Sequence, residues 1–146
     1  MELLLPTDNL LSELVALFIS AFVSSTLFPG GSELLLIYYV KNNAQHWLFY
    51  FLVVTAGNSA GAIFTYFMGY YFNWGREKAK HKKAYHFFQK YGVYTLLFSW
   101  LPLIGDLLPL VAGWMKLPIL KSLLFIVTGK ALRYALIITP LLYFIK

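Results

Sequence analysis

The chain has 146 residues, of which 60% are hydrophobic and only 12% are charged, whereas soluble domains carry about 25% charged residues. This composition excludes an ordinary soluble domain, and the absence of cysteine excludes disulfides and thiol chemistry. The net charge is +6, and residues 76–90 supply most of it, with six Lys or Arg against one Glu. So local a cluster beside apolar segments predicts a cytoplasmic flank of a membrane protein, not a nucleic-acid-binding surface.

The first apolar segment is broken near its middle. Residues 10–27 predict a helix, and Pro29, Gly30 and Gly31 interrupt it because proline removes a backbone donor and glycine permits positive φ. A shorter apolar arm follows and ends at Lys41. We therefore predict that residues 1–43 form a broken hairpin. Residues 10–27 are also nearly long enough to cross a membrane alone, which leaves full crossing open as an alternative.

Residues 44–73 are the clearest spanning helix, with aromatic side chains at both ends as in interfacial belts. Small residues recur every four positions along one face, which favours close approach of another helix; they are Gly57, Gly61, Thr65 and Gly69. Residues 74–91 combine lysines with apolar residues at helical spacing. This pattern predicts a basic amphipathic helix on the membrane surface.

The second half repeats this order. Residues 92–117 predict a second broken hairpin, and residues 118–146 a second spanning helix; the interrupting residues of the hairpin are Pro102, Gly105 and Pro109. The predicted fold is an all-α integral membrane protein with one membrane domain. It has two re-entrant hairpins and two spanning helices in an inverted repeat, as in many secondary transporters.

Four ionisable residues are predicted to lie at membrane depth: Glu33, Asp106, Lys130 and Arg133. The two cations are spaced i, i+3 and share one helix face. Unpaired charges in low dielectric are very costly, so we expect both hairpin tips to meet the last helix near the midplane. Two interpretations stay open, namely a structural ion-pair cluster and a site that binds an anionic group or relays protons.

The remaining polar residues suggest little further chemistry. Asn58, beside the glycine stripe, is either an interhelical hydrogen-bonding residue or part of the same binding site. The histidines do not form a metal-ligating pattern. Hydrolase, metalloprotease and phosphate-loop motifs are absent from the sequence. We therefore expect no enzymatic activity, no metal and no cofactor.

The ordered motifs resemble a known family. They are FPGGSE at 28–33, GNSAG at 57–61, LFSWLP at 97–102, GD at 105–106, AGWM at 112–115 and GKALRY at 129–134. Together they resemble the DedA superfamily of VTT-domain membrane proteins, and its YqaA-like branch most. The resemblance implies two re-entrant hairpins, a bacterial inner-membrane location, and lipid-carrier translocation or proton-dependent transport. Better-studied branches usually have Asp where Asn58 stands, and Arg where Ser99 and Gly105 stand.

These observations predict a membrane transporter or lipid translocase for a phosphate-bearing lipid. Glu33 and Asp106 would be the polar or protonatable tip residues, and Arg133 and Lys130 the anion partners. One alternative is a non-transporting assembly or structural protein, and a weaker one is an intramembrane lipid enzyme. The expected partners are membrane lipids and, for a coupled transporter, protons; so small a chain is also compatible with a homodimer that encloses a path.

Overall fold

The computed structural model describes residues 8–26, 31–72, 77 and 83–145, and these form helices and turns without a strand. We number the α-helices in chain order: α1 Asp8–Thr26, α2 Gly31–Asn42, α3 Trp47–Tyr71, α4 Lys83–Tyr91, α5 Ile104–Trp114 and α6 Ile119–Ile145. Two 3₁₀ helices, Ala44–His46 and Gly92–Trp100, precede α3 and α5.

Within this part of the chain, α1, α3 and α6 are long and apolar enough to cross a membrane. The eleven residues of α5 extend only about 16 Å at 1.5 Å per residue, about half of the hydrocarbon thickness. The predicted all-α membrane fold is confirmed. Re-entrance of the hairpins stays a prediction, because α1 has the length of either a hairpin arm or a short span.

Helix α1 packs in parallel against the first two glycines of the α3 stripe. A Cβ atom on Gly57 would lie 2.6 Å from the carbonyl oxygen of Phe18, and one on Gly61 equally close to that of Phe22. The residue numbers of the contacting pairs increase together along α1 and α3, so the two helices run in the same direction. Ser25 also contacts Gly61, and α3 continues for ten residues beyond that glycine, to Tyr71. The end of α1 therefore lies about 15 Å short of the end of α3.

The second hairpin bridges α3 and α6. Its first arm, Gly92–Trp100, packs on α6, and its second arm, α5, packs mainly on α3. Gly113 faces the backbone of α3, and Gly129 of α6 faces Ser99. In the first hairpin, α1 packs on α3, and α2 contacts both α3 and α6. The halves thus interlock across the molecule.

Two apolar clusters fill the two ends of the α3–α6 pair. Val54 and Tyr134 belong to one cluster, and Ala62 and Ile126 belong to the other. The two helices are therefore antiparallel. Residues 58 and 130 each lie four positions from both clusters, so they share one level midway between them. This level holds the buried polar residues described below.

The break in the second hairpin is shorter than predicted. Pro102 lies in the turn at residues 101–103, where Leu103 takes a positive φ of 65°. Gly105 and Pro109 lie inside α5. Pro109, the sixth residue of α5, therefore does not end the helix. Gly31 begins α2, while Pro29 and Gly30 are outside the described residues.

Within the predicted basic amphipathic segment, residues 74–91, Lys83–Tyr91 form the helix α4. Its apolar face packs partly into the protein, because Phe88 is 1% exposed and Tyr85 is also buried. Phe87 and Tyr91 remain about half exposed and stack on each other, with ring centroids 5.7 Å apart. Residues 76, 78, 80 and 82, which carry most of the predicted positive charge, lie outside the described residues.

Candidate functional site

Four charged side chains from three helices meet in one cluster. Glu33 and Asp106 come from the first turns of α2 and α5, and Lys130 and Arg133 come from α6. Lys130 Nζ donates to Asp106 Oδ1, and Arg133 Nη2 donates to Glu33 Oε1. Arg133 Nη1 also lies 3.4 Å from both carboxylate oxygens of Asp106. Arg133 thus contacts the carboxylates of both hairpins, and we call these four residues the charge cluster.

Burial decreases from one end of the charge cluster to the other. The side chain of Lys130 is 0% exposed and that of Asp106 is 10% exposed. Arg133 is 5% exposed, whereas Glu33 is 26% exposed. The Lys130–Asp106 pair is therefore enclosed by protein, and the Arg133–Glu33 pair lies near an opening.

Neighbouring contacts fix the positions of the charged groups. Ser32 Oγ and the hydroxyl of Tyr134 share a buried hydrogen bond of 3.0 Å. These residues adjoin Glu33 and Arg133 in sequence, so the bond holds the start of α2 against α6. Gly129, next to Lys130, leaves room for Ser99 of the second hairpin. Small and hydroxyl residues thus let both hairpins approach α6 closely.

A cavity of about 230 Å³ adjoins the exposed end of the charge cluster. Its lining combines two charged side chains with four apolar ones: Glu33, Arg133, Trp100, Pro102, Leu136 and Ile137. Leu136 is 53% exposed on the outer surface of α6. Because α6 is a candidate span, the cavity faces the side of the molecule that would meet lipid.

Asn58 lies at the level of the charge cluster but bonds elsewhere. Its fully buried side chain donates from Nδ2 to the carbonyl oxygen of Ala21 at 3.2 Å. No hydrogen-bond partner for its Oδ1 is found among the described residues. In this structure Asn58 therefore links α1 to α3, and no hydrogen bond joins it to the four charges.

A second group of polar side chains, around Glu13, was not predicted from the sequence. The hydroxyl of Tyr50 donates to Glu13 Oε2 at 2.5 Å, and Asn43 Nδ2 lies 3.5 Å from Glu13 Oε1. The available signal was a carboxylate within an apolar helix, which is the same signal that identified Glu33. Nothing in the sequence connected Glu13 with residues 30 or more positions away.

Across the described ranges, no group of three or more His, Cys, Asp or Glu side chains could hold a metal ion.

Curated relatives identify the family. The chain is 40% identical over 121 residues to inner membrane protein YqaA of Escherichia coli strain K12, covering 83% of this chain and 85% of that protein. The YqaA protein of Shigella flexneri matches to the same extent. The chain belongs to the YqaA family. An uncharacterized protein of Haemophilus influenzae is 35% identical over 142 residues, covering 90% of each chain.

The two YqaA relatives are inner membrane proteins, and this chain has three helices apolar enough to span a membrane among its described residues. Together these findings support an inner membrane location. No protein-family model matches the chain. No solved structure matches it either.

Proposed function

We propose that this YqaA family member is a membrane transporter or lipid translocase that handles a phosphate-bearing lipid at the charge cluster. The observation that carries the proposal is the position of Arg133, which contacts both hairpin carboxylates beside a cavity on the lipid-facing side. The resemblance of the hairpin motifs to the DedA superfamily supports the same conclusion. We also assign the chain to that superfamily and treat it as a non-enzyme.

The chemistry of the cluster suits a phosphate headgroup. A guanidinium group binds phosphate in bidentate fashion, and its carboxylate partner occupies the equivalent position when no phosphate is present. Glu33 is the more exposed of the two acids, so it is the one that an incoming headgroup displaces. The apolar wall formed by Leu136 and Ile137 then accommodates the adjoining lipid chain.

The same exchange provides a route to proton coupling. Two acids and two bases sum to zero, so a phosphate entering the cluster adds negative charge at a buried place. Protonation of Glu33 at that step restores neutrality and releases Arg133 for the phosphate. In this scheme Lys130 and Asp106 stay paired and hold the second hairpin on α6.

The competing proposal is a non-transporting assembly or structural protein. Full burial of Lys130 against Asp106 favours it, because an enclosed and neutral pair fixes packing without requiring a ligand. In that case the cluster would serve only to join both hairpins to α6.

Reconstitution into proteoliposomes distinguishes the two proposals. Purified protein is reconstituted with fluorescent phosphate-bearing lipids. A quencher added outside the vesicles abolishes the fluorescence of lipid in the outer leaflet, and translocation is measured as the additional fluorescence lost. We expect transport by the wild type and loss of most of it in Arg133→Gln. Lys121→Gln is the matched control, since it removes an exposed cation from the same helix. Absence of wild-type transport for every phosphate-bearing lipid supports the structural proposal, and full activity of Arg133→Gln refutes the assigned site.

The orientation is part of the proposal. Residues 76–90 lie in the cytoplasm because of their positive charge. The end of the molecule at which α3 begins then faces the opposite side of the membrane.

A further inference from the structure

A polar pocket of about 440 Å³ lies at the end of the molecule where α1 and α3 begin. Six polar side chains contribute to its lining: Asn9, Ser12, Glu13, Asn43, Gln45 and His46. Glu13 bonds to Tyr50 of α3, eight residues before Asn58. The pocket is therefore about 12 Å along the helix axis from the level of the charge cluster, and it is a separate place.

Glu13 brings a carboxylate into this pocket. Its two hydrogen-bond donors, Tyr50 and Asn43, are neutral. Among the residues that the structure describes, no Lys, Arg or His forms an ion pair with Glu13. Each carboxylate oxygen can accept more than one hydrogen bond, so Glu13 retains capacity for a donor from a ligand. A cation that donates hydrogen bonds would complement this carboxylate in charge and in bonding.

An apolar groove of about 820 Å³ adjoins the polar pocket. It runs between the first half of α3 and the second half of α6, and Gln45 lines both spaces. Leu48 and Ile138 are among its aliphatic walls, with Trp47 and Tyr143 also contributing. Trp and Tyr are typical of the membrane–water interface. A headgroup-sized polar pocket and a chain-sized apolar groove thus meet at the expected depth of a lipid headgroup.

We propose that the polar pocket and the apolar groove together bind a phospholipid whose headgroup carries a primary amine. The ammonium group donates to Glu13, and one acyl chain lies in the groove. An anionic headgroup is disfavoured because it would face the carboxylate. A trimethylated headgroup has the right charge but no N–H donor, so it binds more weakly. This site goes beyond the transport proposal, since none of its residues belongs to the charge cluster.

The experiment compares two lipids that differ only in the methyl groups on nitrogen. Native mass spectrometry of the full chain in detergent measures binding of dioleoyl phosphatidylethanolamine and dioleoyl phosphatidylcholine. We expect the wild type to bind the first about tenfold more tightly, the factor that one charge-assisted hydrogen bond supplies. Equal binding of the two lipids by the wild type refutes the proposal without any substitution.

Two variants test the assigned carboxylate. Glu13→Gln keeps the length of the side chain and one acceptor oxygen, which can face Tyr50, but removes the charge, so the preference for the amine lipid should disappear. Ser12→Lys changes an exposed residue of the pocket and supplies a competing ammonium group, with the same expected loss. Thr139→Trp fills the groove and should weaken both lipids while preserving their ratio. Retention of the full preference in both Glu13→Gln and Ser12→Lys overturns the site.

Discussion

Substitution of Asp106 by Asn tests how the charge cluster holds the fold. The change keeps the shape of the side chain but leaves Lys130, which is 0% exposed, without a negative partner. Breaking a fully buried ion pair in this way costs about 3–5 kcal/mol. Glu33→Gln should cost less, about 1–2 kcal/mol, because Glu33 is 26% exposed and Arg133 keeps its contact with Asp106.

The free energy of unfolding in mixed micelles, measured by titration with sodium dodecyl sulfate, checks this order. Adding Lys130→Met to Asp106→Asn removes both charges of the buried pair. The double variant should regain at least half of the lost stability, because the uncompensated cation is gone. Equal costs for the two acid substitutions would contradict the burial argument. Simple additivity in the double variant would show that the Lys130–Asp106 pair does not contribute as a pair.

Three further changes address packing, orientation and the α2–α6 contact. Gly57→Ala should destabilise the protein by about 1–3 kcal/mol in the same titration, since its Cβ would lie 2.6 Å from a backbone oxygen. Gly31→Ala, whose Cβ meets nothing within 4 Å, is the control and should leave stability unchanged. A cysteine that replaces the exposed Gln89 should not react with an impermeant thiol reagent in intact cells. Rapid labelling there would show that the proposed orientation is wrong. Tyr134→Phe removes the buried bond to Ser32 and should cost about 1 kcal/mol; an unchanged unfolding midpoint would show that this bond does not hold the hairpin.

The members of the charge cluster could be predicted because each interrupts an otherwise apolar segment. A charge in such a segment needs a partner, and the four charges sum to zero. The sequence could not show that Arg133 contacts both acids, because that depends on how far each hairpin reaches along α6. Asn58 illustrates the same limit. Its position in the sequence allowed either a hydrogen bond between helices or a place in the binding site, and the structure shows the first, a bond to the backbone of Ala21.

Other features depended on tertiary contacts. Helical spacing correctly indicated an amphipathic helix over α4, but it could not show that Phe88 is buried in the protein. The 3₁₀ form of Gly92–Trp100 has no clear signal, since its residues are also compatible with an α-helix. The glycine stripe indicated a close helix contact, and the structure shows two: Gly57 and Gly61 meet α1, whereas Gly69 meets α5.

The interlocked hairpins bear on how the protein is made. When α3 has just been synthesised, the surface that α5 later covers is still open, because α5 lies more than thirty residues further along the chain. Lipid or another protein must occupy that surface until the second hairpin arrives. Gly69 and Gly113 let the two backbones meet there, so the temporary neighbour must leave this surface before the helices pack. The first half of the chain therefore completes its packing only after α5 and α6 have both been made.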